Sequence, residues 1–171
     1  MLMSEETRFA LNELMGSFFA NNAEADNIAY NLAIAGYPMI SDIYHHSFAH
    51  FFTGEQMADS ISALMDKLDA RAIRTRIEAH DGDYEGNLEA MFADNATMCA
   101  RCRDMIINVI DIADMNGDAE VRIALEELLM RFMPYYKQAR IWDTYCKKYR
   151  DDSKGFEIHF ADLTTYIPIT K

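Results

Sequence analysis

Seven glycines and three prolines in 171 residues leave few places for sharp turns. A β-sandwich or barrel, turning about every 8–12 residues, would ask for more. No stretch approaches the roughly 18 consecutive apolar residues of a membrane-spanning helix. The opening residues Met1 to Arg8 hold no basic segment followed by an apolar run, so a secretory leader is not expected. Cysteine is scarce and odd in number: Cys99, Cys102 and Cys146 make no disulfide framework, and a reducing cytoplasm is the compartment expected. A glycine-rich phosphate loop, a GxSxG elbow and an HExxH helix are all missing. Positive charge is short as well: 16 Lys and Arg stand against 28 Asp and Glu, a formal charge of −12. Such a surface repels nucleic-acid phosphates and anionic lipid, so neither is an expected partner, while cations and basic proteins are attracted.

What the chain does have is bulk. Half of it is apolar, with 12 Met, 10 Phe and 9 Tyr, enough for one sizeable core and too little for two comfortable domains. The apolar residues recur at helical spacing. Ser4 is placed to cap a first helix carrying Phe9, Leu11, Leu14, Met15, Phe18 and Phe19, with a break or kink expected at Asn21-Asn22. A second pattern runs to Gly36-Tyr37-Pro38, where proline disfavours helix before it. Helix restarts and continues through Ile40, Ile43, Tyr44, Phe48 and Phe51 to Thr53-Gly54. Met57, Ile61, Leu64, Met65, Leu68, Ala72 and Ile77 then form one stripe, read as a single helix ending near His80-Asp81-Gly82. A further helix opens at about Asn87 and stops at Asn116-Gly117. Asp118 caps the last long one, where Pro134 should introduce a kink. Beyond Tyr149, Asp151 to Gly155 reads as a linker. Phe156, Ile158 and Phe160 alternate with polar residues as in a strand, so residues 151–171 are expected to be an extended tail docked on residues 1–150 or on a neighbouring subunit. The fold class is all-α, a bundle of four long helices with an extra helix at the N-terminal side.

Four groups of residues are weighed as candidates for chemistry. Asp42, His46 and His50 are four apart and share a helix face turned away from Ile40, Ile43 and Phe51; imidazole nitrogen and carboxylate oxygen at this spacing suit zinc and iron. Asp59, Asp66 and Asp69 also look outward, and two such faces can meet where subunits pack. For both groups a solvated polar face is the plain alternative. Cys99-Ala-Arg-Cys102 lies inside a helical pattern with no further ligands near, and reads as core packing. The basic residues from Lys137 to Lys154 sit near a helix C-terminus, where the helix dipole favours them.

From about residue 44 to residue 142 the chain resembles the Dps mini-ferritins of the ferritin-like superfamily. The resemblance rests on Tyr44-His45-His46-Ser47, on Thr75-Arg76-Ile77-Glu78-Ala79 through Gly86-Asn87-Leu88-Glu89-Ala90-Met91, and on Asn116-Gly117-Asp118 through Tyr136-Lys137-Gln138-Ala139-Arg140. It implies a ferritin-like four-helix bundle that assembles with copies of itself into a hollow shell. It also implies an iron-oxidising site between subunits, for which His45 matches the first histidine. The family's remaining ligands fall near Gln56, Ser60, Arg71 and Thr75, none of them a good metal ligand. The family's basic DNA-binding tail has no counterpart among the first seven residues. The expected site is therefore a displaced one, drawn from His45, His46, His50, Asp42, Asp59 and Asp66. It would bind iron or another divalent metal in a homo-oligomer with little or no ferroxidase activity. The alternatives are a metal-free ferritin-like scaffold working through protein contacts and, further off, a hemerythrin-like histidine site.

Overall fold

The structure, a computed structural model, describes residues 1–170. Among these residues it is all helix and loop, in the order α1 (Glu5–Ile34), α2 (Pro38–Ser47), a 3-10 turn (Ala49–Thr53), α3 (Ala58–Lys67), α4 (Leu88–Met115), α5 (Ala119–Lys148) and α6 (Ser153–Leu163). Ser4 caps α1 by accepting from the Thr7 amide, with Glu5 and Glu6 in the positive first turn. α1 does not break at Asn21-Asn22, contrary to the sequence expectation. Asn21 is buried, and Asn22 Nδ2 donates to the Ala49 carbonyl 2.9 Å away. The polar side chains serve neighbouring elements instead of competing for their own backbone.

Gly36, at φ +88°, closes α1 in the left-handed conformation, and Pro38 opens α2 at a position where its missing amide costs nothing. The chain then returns antiparallel to α1. Ser41 Oγ donates to the Ala29 carbonyl, Asn22 meets Ala49, and the Leu2 amide donates to the Leu68 carbonyl. This return leg is not one helix but α2, the 3-10 turn and α3 in succession.

The stripe expected to run helically to Ile77 stops at Lys67. Asp69 turns left-handed at φ 52°, and residues 70–83 carry no regular structure. Their backbone groups are taken up by asparagines of α1. The Ile73 amide donates to Asn12 Oδ1 at 2.6 Å, Asn12 Nδ2 to the Arg71 carbonyl, Asn27 and Asn31 to the Gly82 carbonyl, and the Tyr84 amide to Asn31 Oδ1. Residues 70–84 are thus a long crossover alongside α1. Thr75 to Ala79, read as the end of a second helix, lie in this crossover.

α4 opens on Asn87, whose Oδ1 accepts from the Ala90 amide at 3.1 Å, and closes on Asn116 and Gly117. α4 and α5 pack along their length as the antiparallel pair that the short turn requires. Asp118 stands at the head of α5 but does not cap it. Its carboxylate accepts from Ser4 N and Oγ, tying the start of α1 to the start of α5. Pro134 lies inside α5 without interrupting it.

The tail corrects the sequence reading most. Residues 153–163 form a helix, not a strand. Asp152 caps it by accepting from the Gly155 amide. Phe156 and Phe160, one turn apart, are buried, and Ile158 between them is 66% exposed. A three-residue alternation fits either period, and the cap with the i, i+4 pair decides for helix. The tail docks as expected: Gln138 holds Leu163 O and Tyr166 N, Trp142 Nε1 donates to Thr164 Oγ1 at 3.0 Å, and the Thr170 amide donates to Ser47 Oγ. The core between these elements is aromatic: Phe18, Tyr44, Phe48, Phe52, Phe92, Phe132, Trp142, Phe156 and Phe160 are fully buried. No helix among the described residues is long and apolar enough to cross a membrane.

Candidate metal centre

The antiparallel register of α1 against α2 that pairs Ala29 with Ser41 and Asn22 with Ala49 sets Asp26 across from His45. His45 and His46 occupy the last turn of α2, and His50 lies in the 3-10 turn that follows. Asp26, His45 and His50 each offer one ligand atom, and these atoms all lie within 4.8 Å of one another. His45 Nε2 is 3.1 Å from Asp26 Oδ1. That oxygen is buried yet has no properly aligned hydrogen bond. A buried, unsatisfied carboxylate oxygen is costly unless something positive meets it. The rings of His45 and Tyr30 meet edge to face, with centroids 5.9 Å apart.

His46 stands beside this group, its ring centroid 5.3 Å from that of His45 and 5.8 Å from that of His50. Its Nδ1 lies 3.0 Å from the Asp42 carbonyl and 3.2 Å from Asp42 Oδ1. Of the residues expected from sequence, the structure brings His45 and His50 together, with His46 and Asp42 alongside. Asp59 and Asp66 are exposed on α3, past the 3-10 turn, and are not among the ligand atoms that converge. Asp26 is the residue sequence reasoning missed. It comes from a segment read only for its apolar pattern, and only the helix–helix register reveals its partner.

A different place for metal is the middle of the bundle, where di-iron carboxylate proteins of this architecture project a Glu from each of two helices and a Glu-x-x-His from each of the other two. The residues here do not fit such a centre. The sequence contains no Glu-x-x-His, and the interior is the aromatic cluster described above. Among the described residues only Asp118 and Glu157 are buried acids. Asp118 is held by Ser4; Glu157 accepts from the Met39 amide and sits 3.5 Å from Lys154. The buried polar contacts in the aromatic cluster are between neutral groups: Trp142 Nε1 donates to Thr164 Oγ1, Tyr44 Oη donates to Asn95 Oδ1 at 2.7 Å, and burial holds the Tyr44 phenol well above its ordinary value.

Cys99 and Cys102 are free, buried core residues, as their spacing suggested. Burial is the main cause that pushes the Cys99 thiol up, and it takes Cys102 to about 12. The basic residues at the end of α5 are engaged within the chain. Lys147 pairs with Asp143, Arg150 with Glu89 on α4, and Lys154 donates to the Gly36 carbonyl while lying over the Tyr37 ring.

No family model and no curated protein matches the sequence. Solved structures do match. An open-pore ferritin from the hyperthermophilic archaeon Archaeoglobus fulgidus superposes with a TM-score of 0.81, covering 94% of this chain and 96% of that one at 13% identity. A ferritin from M. penetrans superposes with a TM-score of 0.73, covering 83% and 85% of the two chains, also at 13% identity. The chain therefore has the ferritin-like fold, with α1, the broken return leg, the crossover, α4 and α5 as its bundle and α6 as the helix that follows.

Proposed function

We propose that this chain is a ferritin-fold protein that assembles with copies of itself and binds iron or another divalent transition metal at an outward-facing cluster, with no di-iron ferroxidase chemistry inside the bundle. The observation that carries the reading is the convergence of Asp26, His45 and His50, with a buried aspartate oxygen left without a hydrogen bond. The two imidazoles and one carboxylate suit a divalent metal from the middle of the first transition row or zinc. The ferritin likeness supports the fold and makes iron a natural first ion to test; the Dps-type resemblance adds the expectation that the outward faces of α1 and α2 lie between subunits. In such an assembly Asp59 and Asp66 would reach the histidines only from another copy.

Metal analysis of the full chain purified without an affinity tag, followed by titration calorimetry with ferrous iron and zinc, tests the reading. The wild type is expected to bind, and His45→Ala combined with His50→Ala to abolish binding while leaving helix content unchanged, because neither side chain belongs to the core. Affinity should fall on acidification, since protonated imidazole cannot ligate. Sedimentation is expected to give a mass well above the 19.6 kDa of one chain; a clean monomer at micromolar concentration would remove the assembly part. The aromatic interior favours a second reading, a metal-free scaffold working through protein contacts. Absence of any transition-metal binding by the wild type would establish it over the first.

A further inference from the structure

We propose that His46 joins Asp26, His45 and His50 to close a three-histidine, one-aspartate site that takes zinc in preference to ferrous iron, with Asp42 orienting His46. This rests on the metal-binding reading above and narrows it to one class of ion.

The first argument is spacing. With metal–nitrogen bonds of about 2.0–2.1 Å and tetrahedral angles, three imidazoles on one zinc have ring centroids about 5.2 Å apart. The three pairs here are at 4.6 Å for His45–His50, 5.3 Å for His45–His46 and 5.8 Å for His46–His50, which bracket that value. Interplanar angles of 67°, 61° and 70° keep the rings edge to face instead of stacked face to face. The three histidines fall within six positions, His46 and His50 exposed and His45 half-buried, so burial in the core does not force the rings together.

The second argument is tautomer. Ligating histidines typically donate their other ring N–H to a carboxylate or backbone carbonyl, which fixes the ring and leaves the remaining nitrogen to the metal. His46 already has both kinds of acceptor at Nδ1, the Asp42 carbonyl and the Asp42 carboxylate. That arrangement reserves Nε2 for an ion. Closing the set takes a change of side-chain torsion at His46, whose nitrogens lie outside the group of atoms within 4.8 Å, with the 65%-exposed Asp42 carboxylate following Nδ1 so that the orienting bond is kept.

The third argument is selectivity. Two histidines and a carboxylate alone leave coordination positions open, the donor set of non-haem ferrous iron. A third imidazole converts it to a closed, nitrogen-rich, four-ligand set, which suits zinc. The buried Asp26 oxygen supplies the one anionic ligand from α1, so the ion would also tie α1 to the junction of α2 and the 3-10 turn.

The test compares zinc and ferrous iron affinities, by chelator competition under anaerobic conditions, and uses cobalt(II) as a spectroscopic probe of geometry. Wild type is expected to bind zinc at least roughly tenfold more tightly than ferrous iron and to give the intense visible absorption of tetrahedral cobalt. His46→Ala should lose roughly tenfold or more in zinc affinity, and its cobalt spectrum should fade to the weak bands of an open, water-filled site. Asp42→Asn should lose about 10–100-fold, the usual effect of removing an orienting partner. Helix content is expected to stay constant, since Asp42 and His46 are exposed by 65% and 43%. If His46→Ala keeps wild-type zinc affinity and cobalt spectrum while the His45→Ala, His50→Ala pair loses both, the ion is held without His46 and this inference is wrong, though metal binding stands. If wild type binds neither zinc nor cobalt, the metal-binding reading fails, and this inference with it.

Discussion

Replacing the buried aromatics of α6 distinguishes its helical periodicity from that of a strand. A helix over Ser153–Leu163 hides Phe156 and Phe160 and leaves Ile158 in water; a strand over the same residues would put all three on one face. Phe160 is stacked on Trp142 with ring centroids 4.9 Å apart and also contacts Phe92 and Phe156. Phe160→Ala removes a fully buried ring and leaves a cavity against the indole, a change that costs about 3–5 kcal/mol. For a chain of this length that corresponds to a fall in Tm of about 6–20 °C. Ile158→Ala should stay within about 0.5 kcal/mol of wild type, as for most surface substitutions. Trp142 is the one tryptophan in the sequence, so its fluorescence reads the same contact: emission should shift to the red in Phe160→Ala and not in Ile158→Ala. The measurement is thermal and urea denaturation followed by both fluorescence and circular dichroism. Equal losses at positions 158 and 160 would refute the helix. A loss below about 1 kcal/mol at 160 would mean that α6 is not part of the core.

The crossover can be tested at Asn12, which accepts from the Ile73 amide and donates to the Arg71 carbonyl. Asn12→Ala should cost about 1 kcal/mol and speed exchange of the Ile73 amide; unchanged exchange would place residues 70–73 elsewhere. The three cysteines should be silent to thiol reagents in the native protein at mildly alkaline pH and all react once it is unfolded, since burial takes Cys102 and Cys146 from an ordinary 9.0 to about 12. Because folding favours the protonated thiols, this stabilisation is complete below pH 9.0 and lost progressively between there and about pH 12, so stability should decline over that window. A stability that rises from pH 9 to 11 would contradict it.

The long helices were legible because their signals are local. Ser4 and Asn87 supply caps, Gly36, Gly117 and Pro38 mark ends, and apolar residues at 3.6-residue spacing run between them. The same local logic failed where a distant partner decides. Residues 70–77 continue a helical pattern, but Asn12, some sixty positions earlier, holds the backbone at Arg71 and Ile73 in another shape. Asn21-Asn22 looks like a break until its burial and its bond to Ala49 are known. Phe156 to Phe160 is too short a run for its period to be read.

The candidate site divides in the same way. Three histidines within six positions announce themselves in sequence, and so does the lack of inward carboxylates, since a chain without Glu-x-x-His cannot build the usual bundle centre. Composition and periodicity thus determined an acidic, all-helical, aromatic-cored bundle with its histidines turned outward. Asp26 belongs to the cluster only because α1 and α2 pack in one antiparallel register, and where Asp59 and Asp66 lie relative to the histidines depends likewise on how α3 packs beyond the break expected at Thr53-Gly54. Spacing along one helix follows from the 3.6-residue repeat, whereas the meeting of residues on two helices depends on how those helices cross, and no local pattern encodes that.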